Sequence, residues 1–510
     1  MKPVLVVGAG PTGLVMALVL ARRGVPVHII DAKEGPAEES RAMGVHARTL
    51  EFYRQFGFAE AVVDRGMAAK EIRFRARDRD GARFSLRVMG AGLSPYPYML
   101  TFPQDQHERF LLDRLADLGV AVDWGATLED FVDRGEEVEA VIRSGASIQR
   151  SVYAYIIGCD GAHSRVLEVL GIGFPGGSSE QMFYVADAMV AGAAHDVLYL
   201  GLSGDGLALM MPVRTTGSYR IFGLVPPGVG AQQSIGWADV GDHSESLLGF
   251  SVGQVNWFST YHVHHRVAER FRSGRVFIAG DAGHIHSPAG GQGMKTGIGD
   301  AVNLSWKIAD VMHERADSGL LDTYERERLP FARFLVATTD RAFRVLVDDG
   351  RIARAARVHL VPRIVSTVMR FSLSRRLFFK TFSQTRISYR RCSFNQGKAG
   401  ALRGGDRLPW ISTDQGDNFA ALQTMSWQLH NYGRPANGVA EAADQLGLPV
   451  HRFPWSDAAH RAGVQRDASY LVRPDGYVAL ALGPTDSSDE LTRFVELRHL
   501  DVSEPHAPSS

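Results

Sequence analysis

The stretch that decides the fold reads Val4-Leu5-Val6-Val7-Gly8-Ala9-Gly10-Pro11-Thr12-Gly13. Its first four residues predict a short buried strand, and the apolar run at residues 14–20 predicts a helix. A second apolar strand at residues 25–30 ends at Asp31. Spaced glycines between a strand and a helix let the backbone approach a pyrophosphate, and the acid accepts hydrogen bonds from a ribose. The sequence therefore predicts a nucleotide-binding βαβ unit, without separating FAD from NAD.

Two later strands also end in an aspartate beside a glycine. Asp160-Gly161 follows the apolar residues 155–158, and Gly280-Asp281 follows residues 275–279. An aspartate at the end of a buried strand is well placed to hydrogen-bond a sugar-like chain. The alternative is that each aspartate caps the helix that follows it.

A glycine-rich segment comes next: Pro288-Ala289-Gly290-Gly291-Gln292-Gly293-Met294-Lys295-Thr296-Gly297. Its glycines allow backbone amides to approach a flat ring closely. A helix is predicted from about residue 297 to residue 312, and the N-terminus of a helix favours negative charge. A reduced flavin carries negative charge at its pyrimidine end, so this segment suits a flavin ring.

Composition narrows the class of protein. The chain has 510 residues, and its 56 Lys and Arg balance its 56 Asp and Glu, which provides no overall attraction for nucleic acid or an anionic membrane. The two cysteines, Cys159 and Cys392, exclude a disulfide framework and a cysteine-based metal site. No apolar run reaches the roughly 18 residues of a membrane span. We therefore expect a cytoplasmic protein without a metal, a membrane or a nucleic-acid partner.

Over roughly residues 3–345, the three motifs resemble the FAD-dependent aromatic hydroxylases of the p-hydroxybenzoate hydroxylase type, in order and in spacing. The resemblance extends to Ser40-Arg41-Ala42-Met43-Gly44-Val45-His46, where it implies that Arg41 lies near the FAD pyrophosphate. It also covers Phe102-Pro103-Gln104, where it implies that Gln104 contacts the FAD. The cofactor-binding residues expected in this way are Gly8, Gly10, Thr12, Gly13, Asp31, Arg41, Gln104, Asp160, Asp281, Gly291, Gly293 and Met294.

This resemblance implies a reaction. The implied enzyme is a single-component monooxygenase that uses FAD, O2 and NADPH or NADH. It would hydroxylate a phenolic or polyketide-type aromatic substrate through a flavin hydroperoxide. The chain contains one dinucleotide fingerprint, so the nicotinamide cofactor is expected to bind transiently. A related flavoenzyme that performs epoxidation or Baeyer–Villiger oxidation is an alternative, and a non-catalytic flavin-binding or substrate-sequestering protein is a remote one. A homodimer is left open.

The expected fold class is α/β. A Rossmann-like FAD domain occupies residues 1–175 and 266–345, with an inserted substrate-domain segment near residues 70–100. A β-sheet substrate domain occupies residues 176–265, and a basic helical segment with a linker occupies residues 346–405. Residues 406–510 are similar to the thioredoxin-like domain of the larger phenol, phenylpropionate and polyketide hydroxylases. They lack a Cys-x-x-Cys pair, which excludes a thioredoxin-type redox role.

Residues 351–405 have an unusual charge pattern, with 13 Lys and Arg and no Asp or Glu. Apolar residues recur among them at helical spacing, which predicts helices packed on the body of the protein with a solvated basic face. A surface for an acidic partner and a membrane-surface helix are alternatives. Four glycines within residues 397–405 predict a linker.

Lys295 departs from the family, which usually has Asn at this position. If its ammonium points toward the flavin, its charge would stabilise the anionic reduced cofactor, which makes Lys295 the candidate catalytic residue. If it points outward, it is a solvated lysine, and this second orientation is the one we expect.

Overall fold

A computed structural model describes residues 1–37, 42–76, 79–204, 206–213, 217–226, 228–229, 235–286, 291–347, 350, 364, 367–414, 416–435 and 438–504. It begins with the predicted βαβ unit, formed by β1 (Val4–Val7), α1 (Pro11–Arg22) and β2 (Val27–Asp31). Strands β1 and β2 are parallel, with Val4 opposite Val27, and all four residues of β1 are buried. An apolar strand of this kind, buried on both faces, is typical of a parallel sheet covered by helices.

The chain then builds the remainder of the first domain and enters the second. These elements are β3 (Gly44–Val45), α2 (Ala47–Gln55), α3 (Ala59–Arg65), β4 (Met67–Ala69), β5 (Glu71–Ala76), β6 (Arg79–Ser85), α4 (Leu86–Gly90), β7 (Met99–Thr101), α5 (Gln104–Ala116), β8 (Val122–Trp124), β9 (Ala126–Asp133), β10 (Val138–Ser144), β11 (Ser147–Tyr153), β12 (Tyr155–Gly158) and α6 (Arg165–Val169).

The middle of the chain is mainly β structure and ends in two long helices. Its elements are β13 (Gly176–Val190), β14 (Val197–Leu202), β15 (Leu207–Pro212), β16 (Ser218–Leu224), α7 (Trp237–Leu248), β17 (Val252–Val267), β18 (Arg272–Ser273), β19 (Val276–Ile278), β20 (His284–Ile285), α8 (Gly293–Met312) and α9 (Asp322–Val347).

Two sheets position the site. A six-stranded sheet has the order β18-β19-β12-β1-β2-β8, and its parallel strands β1, β12 and β19 bring their carboxyl ends to one edge. The glycine loop, Asp160 and Gly280-Asp281 all follow these ends, so residues distant in sequence meet at one cleft. An eight-stranded sheet has the order β20-β17-β13-β16-β15-β14-β5-β6, which brings residues 71–85 into the second domain.

The eight-stranded sheet has two different faces, because successive residues of a strand point in opposite directions. One face carries Tyr184 and Tyr219 and packs against α7 through residues such as Leu247. The predicted sheet at residues 175–265 is therefore interrupted by a helix. The other face carries Leu198 and Met211, which contact the core of the nucleotide-binding domain. The second face thus looks toward that domain.

The C-terminal part forms a third unit. Its elements are α10 (Ser372–Phe382), β21 (Gln396–Ala399), β22 (Leu402–Arg403), β23 (Ser412–Thr413), β24 (Gly416–Asp417), β25 (Gln428–Tyr432), α11 (Val439–Gln445), β26 (Val450–Phe453), α12 (Asp457–Arg461), β27 (Ala468–Val472), β28 (Val478–Leu482) and α13 (Asp489–Glu496). The order of its mixed six-stranded sheet is β22-β21-β28-β27-β25-β26.

The prediction of a linker at residues 397–405 is wrong. Strand β21 pairs in parallel with β28, so the C-terminal sheet begins before the boundary expected at residue 406. A β-carbon added at Gly397 would lie 2.1 Å from the carbonyl oxygen of Ala481, and the φ angle of Gly397 is +79°. Gly397 therefore allows the two strands to approach closely and adopts a left-handed backbone conformation. It does not provide a flexible linker.

Of the basic segment, residues 351–363 and 365–366 lie outside the described residues. The described remainder includes α10 as well as β21 and β22, and Phe379 of α10 is buried in the core of the nucleotide-binding domain. In the part of the chain that the structure describes, no helix is long and apolar enough to cross a bilayer.

Candidate functional site

The glycine loop between β1 and α1 uses its three glycines differently. Gly8 has a φ of +101°, and a β-carbon there would lie 2.4 Å from the carbonyl oxygen of Cys159. A β-carbon at Gly13 would lie 1.8 Å from the carbonyl oxygen of Gly8. A β-carbon at Gly10 would meet no atom within 4 Å. Gly8 and Gly13 thus allow tight internal packing, whereas Gly10 borders open space at the N-terminus of α1.

Asp31 and Thr12 hold this loop in place. The carboxylate of Asp31 accepts hydrogen bonds from the backbone N–H of Ala9 at 2.7 Å and of Lys33 at 2.9 Å. The hydroxyl oxygen of Thr12 would lie 2.6 Å from a β-carbon added at Gly280 and 2.2 Å from one added at Gly297. Thr12 therefore fills the close contact between α1 and the elements that carry the other two motifs.

The two strand-end aspartates have different environments. Asp160 accepts hydrogen bonds from the hydroxyl of Ser164 at 2.6 Å and from the backbone N–H of Val166 at 3.1 Å, which is the capping arrangement considered above. The carboxylate of Asp281 makes no hydrogen bond or ion pair within the described part of the chain. It is solvent-exposed yet surrounded by enough protein for desolvation to raise its pKa. Asp281 thus keeps its acceptor capacity for a ligand.

A buried aspartate that the sequence analysis missed holds the backbone beside Asp281. Asp300, on α8, accepts hydrogen bonds from the backbone N–H of Gly280 at 3.0 Å and from Nε2 of His284 at 2.6 Å. Its other oxygen pairs with Arg328 on α9, and all these side chains are buried. Arg328 and His284 together hold the pKa of Asp300 below its ordinary value. In the sequence, Asp300 differs from its neighbours only as a charged residue within the predicted helix.

The 288–297 segment is described from Gly291 onward. Gly291 has a φ of +57°, and α8 begins at Gly293, four residues earlier than expected. No side chain caps this helix, so the amides of its first turn, which include that of Met294, face the end of the segment without side-chain partners. This geometry suits a negatively charged edge of a ring.

His46 is a second residue that the sequence analysis gave no role. Its side chain is 1% exposed, and among the described residues Nε2 has no hydrogen-bond partner. This nitrogen would lie 3.7 Å from a β-carbon added at Gly291. Burial holds the pKa of His46 well below its ordinary value. A neutral imidazole, whose Nε2 has no partner among the described residues, therefore borders the 288–297 segment.

Gln104 anchors the chain on the far side of the cleft. Its side-chain oxygen accepts a hydrogen bond from the backbone N–H of Ala42 at 3.2 Å, and its amide donates to Glu108 at 2.8 Å. Glu108 in turn accepts from the backbone N–H of Ala37 at 3.3 Å. Gln104 and Glu108 thus hold Ala42 and Ala37, which lie on either side of Arg41 in the chain, and Arg41 itself lies outside the described residues.

These features fit FAD. Open space at Gly10 beside a helix N-terminus suits a pyrophosphate, and the unpaired carboxylate of Asp281 suits the hydroxyls of a ribityl chain. The unpaired nitrogen of His46 and the uncapped start of α8 suit the polar edge of a flavin ring. A model of the FAD binding domain family matches residues 1–339. The chain belongs to this family.

The similarity to known proteins extends over nearly the whole chain. The 6-methylpretetramide 4-monooxygenase of Streptomyces rimosus is 37% identical over 99% of this chain and 95% of its own length. A rifampicin monooxygenase of Rhodococcus hoagii is 30% identical over 94% of this chain and 95% of its own. The solved OxyS anhydrotetracycline hydroxylase from Streptomyces rimosus superposes with a TM-score of 0.78 at 26% identity, covering 99% of this chain and 100% of that one.

These findings confirm the predicted activity class. The protein is a flavin-dependent monooxygenase of aromatic compounds, with FAD as cofactor and NAD(P)H as co-substrate. Epoxidation, Baeyer–Villiger oxidation and a non-catalytic role are not favoured.

The expectation that Lys295 is solvated is wrong. Its side chain is 2% exposed, and Nζ donates a hydrogen bond to the carbonyl oxygen of Phe382 at the C-terminal end of α10. The same nitrogen also lies 5.1 Å from the centre of the Phe382 ring. Carbonyl groups at the end of a helix are favourable partners for a lysine. The sequence could not show this orientation, because the partner lies 87 residues away.

Replacing Asp281 with alanine is expected to weaken FAD binding by about 10- to 100-fold, since a charge-assisted hydrogen bond typically contributes about 1.5–3 kcal/mol. The fold should be unaffected, because the carboxylate has no partner within the described protein. Equilibrium dialysis of the apoprotein with FAD measures the change. Asp117→Ala, which removes a carboxylate 59% exposed to solvent, is the control and should leave the affinity unchanged. An unchanged affinity in Asp281→Ala would exclude the assigned role.

Proposed function

We propose that this monooxygenase hydroxylates a polycyclic, polyketide-type phenol held against the face of the eight-stranded sheet that looks toward the FAD domain. The observation that carries the proposal is an aromatic cluster on that face, formed by Phe183, Phe222 and Tyr261. The rings of Phe183 and Phe222 stack with centroids 5.3 Å apart, and Tyr261 lies within 6.2 Å of both. Flat aromatic rings of this kind favour stacking with another extended aromatic system.

The same face offers polar groups beside the aromatic cluster. Arg220 forms a two-pronged ion pair with Asp187, with N–O distances of 2.7 and 2.6 Å, and its guanidinium lies 5.7 Å from the ring of Trp257. Burial raises the pKa of Tyr261, so its hydroxyl stays protonated and can donate a hydrogen bond. These groups provide partners for the oxygen substituents of a phenol, while the aromatic cluster supplies contact area.

When bound, FAD would supply the redox and oxygen chemistry of the reaction, and the chain supplies binding and orientation. Gly8, Gly10 and Gly13 place the N-terminus of α1 at the pyrophosphate, with Arg41 near it and Asp31 beside the ribose. Thr12, Gln104 and Asp160 shape the cleft, and Asp281 holds the ribityl chain. Gly291, Gly293 and Met294 present amides to the flavin ring. The support for these roles is the geometry described above and the family's pattern of motifs.

The C-terminal unit is proposed to be thioredoxin-like in fold and structural in role. Its mixed sheet is flanked by short helices, and its residues lack a Cys-x-x-Cys pair. We also propose that the protein is cytoplasmic, with a small aromatic substrate and O2 as its partners and without nucleic acid or membrane. The homodimer remains a proposal that size-exclusion chromatography with light scattering tests directly.

Substrate class can be tested by the rate of NAD(P)H oxidation. Anhydrotetracycline, after which the solved relative is named, should stimulate oxidation more than p-hydroxybenzoate, a single-ring phenol. The product should gain one oxygen atom by mass spectrometry, and NMR should place it as a ring hydroxyl and not as an epoxide. Stimulation by the single-ring phenol alone would contradict the proposal.

A substitution in the aromatic cluster tests the location. Phe222→Ala should weaken binding of the polycyclic phenol by about tenfold, since stacked aromatic pairs contribute about 0.5–1.5 kcal/mol beyond the buried area. Basal NAD(P)H oxidation without substrate should be unchanged. Phe334→Ala, which removes a 60% exposed phenylalanine on α9, is the matched control. Equal affinities in both variants would place the substrate elsewhere.

A further inference from the structure

The side chain of Lys295 is buried, and no described carboxylate pairs with its amine. Within the described part of the chain it forms no ion pair, and its polar contact is the carbonyl oxygen of Phe382. Lys307, which lies twelve residues further along α8 and is also buried, shows the usual arrangement. Its ammonium is equally buried and lies 2.8 Å from the carboxylate of Glu327. Buried lysines are commonly paired in this way, so the environment of Lys295 needs a separate explanation.

Among the described residues, the groups that surround Lys295 do not supply a counter-charge. From the start of α2 comes His46, which is neutral. From the end of α10 comes the carbonyl oxygen of Phe382, followed by Gln384, whose amide donates to Gln292 at 3.0 Å and to the hydroxyl of Thr296 at 2.7 Å. Desolvation accordingly holds the pKa of Lys295 well below its ordinary value. The surroundings therefore favour the neutral amine as long as no anion is nearby.

A reduced flavin at the proposed site would be such an anion, and Lys295 lies close to that site. Lys295 is the third residue of α8 and follows Gly291, Gly293 and Met294, whose proposed role is to hold the flavin ring. The unpaired Nε2 of His46 is directed toward the same segment. Reduction places negative charge on the flavin, and a nearby negative charge favours the protonated form of an amine.

We propose that Lys295 takes up a proton when the flavin is reduced and releases it when the flavin is oxidised again. This inference rests on the proposed flavin site. NAD(P)H supplies two electrons and one proton as a hydride, which leaves the reduced cofactor with one negative charge. A second proton comes from solvent and converts the amine of Lys295 to an ammonium. The new positive charge balances the new negative charge inside the protein, and the proton returns to solvent on reoxidation.

The pH dependence of the flavin midpoint potential tests this proposal. For a two-electron couple, each proton taken up lowers the potential by about 30 mV per tenfold fall in proton concentration. In the pH range where the oxidised enzyme holds the neutral amine and the reduced enzyme holds the ammonium, uptake by both flavin and Lys295 gives a slope of about 60 mV per pH unit. Lys295→Met and Lys295→Asn, the latter carrying the residue usual in the family, should each show a slope of about 30 mV per pH unit.

Controls separate the possible outcomes. Lys380→Met removes an exposed lysine of α10 and should keep the wild-type slope. Thermal unfolding and flavin content establish that each variant is folded and loaded. A colourless wild-type protein that binds no FAD would contradict the flavin site itself. A loaded wild-type enzyme with a slope of about 30 mV per pH unit, or Lys295 variants that retain the wild-type slope, would overturn the proton uptake alone.

Discussion

Replacing Arg473 with methionine is expected to lower the free energy of unfolding by about 3–5 kcal/mol, the range found when one partner of a buried ion pair is removed. Arg473 is 0% exposed and lies in the turn between β27 and β28. Its guanidinium contacts Glu327 of α9 at 2.6 and 3.0 Å and Asp475 at 3.0 and 2.6 Å. The substitution removes the cation that these two buried carboxylates share, and Lys307 still pairs with Glu327.

The loss should extend beyond the C-terminal unit. Glu327 directly precedes Arg328, which holds Asp300 and through it the backbone beside Asp281. Arg473 and Lys307 keep the pKa of Glu327 far below its ordinary value, so this carboxylate is ionised throughout the range in which the protein is handled. An unpaired charge at this point would favour separation of α9 from the C-terminal sheet. We therefore expect weaker FAD retention as well as lower stability.

Urea unfolding, monitored by flavin release and by tryptophan fluorescence, measures both effects. Arg466→Met removes an arginine of the same unit whose side chain is 71% exposed, and it should change stability by no more than about 0.5 kcal/mol. If Arg473→Met and Arg466→Met unfold at the same urea concentration, the charge network does not join the C-terminal unit to the FAD domain.

The parts of the site that sequence could predict depend on short-range patterns. The βαβ unit is visible because an apolar strand, spaced glycines and a helix lie within about 30 residues of one another. Asp281 is visible because it directly follows an apolar strand whose carboxyl end must lie at the edge of a parallel sheet. In both cases the chemistry is set by neighbours in the chain, and the structure places both features at one cleft.

The parts that sequence could not predict depend on distant partners. Lys295 turns inward because Phe382 offers a carbonyl group at the end of a helix from another segment. Asp300 is tied to Arg328 across two helices, and its role in holding Gly280 follows from their packing. Gly397 was interpreted as part of a linker because glycine composition is the same for a flexible segment and for a close approach between strands. Gly397 belongs to a strand because it packs against the backbone of Ala481, a contact that lies far along the chain.

Replacing Gly10 with valine is expected to produce a folded protein that binds FAD at least about 100-fold more weakly, a loss of about 2.8 kcal/mol at 1.4 kcal/mol per tenfold. Gly10 has φ and ψ of −73° and −180°, which any residue before a proline adopts readily. No atom lies within 4 Å of the position of a β-carbon, so a side chain can begin here without a clash. It extends instead into the space at the N-terminus of α1 that the pyrophosphate needs.

The three glycines of one loop supply the internal comparison for this experiment. Gly13→Ala should fail to fold, because its β-carbon would lie 1.8 Å from the carbonyl oxygen of Gly8. Gly319→Val, at a position that also has no atom within 4 Å but lies outside the cleft, should fold and keep the wild-type affinity for FAD. Unfolding curves and FAD titrations of the apoproteins distinguish these results. A Gly10→Val protein that folds and retains FAD would show that the open space beside Gly10 is not where the cofactor phosphates bind. A Gly10→Val protein that does not fold would show that Gly10, like Gly13, is required for packing and not for the ligand.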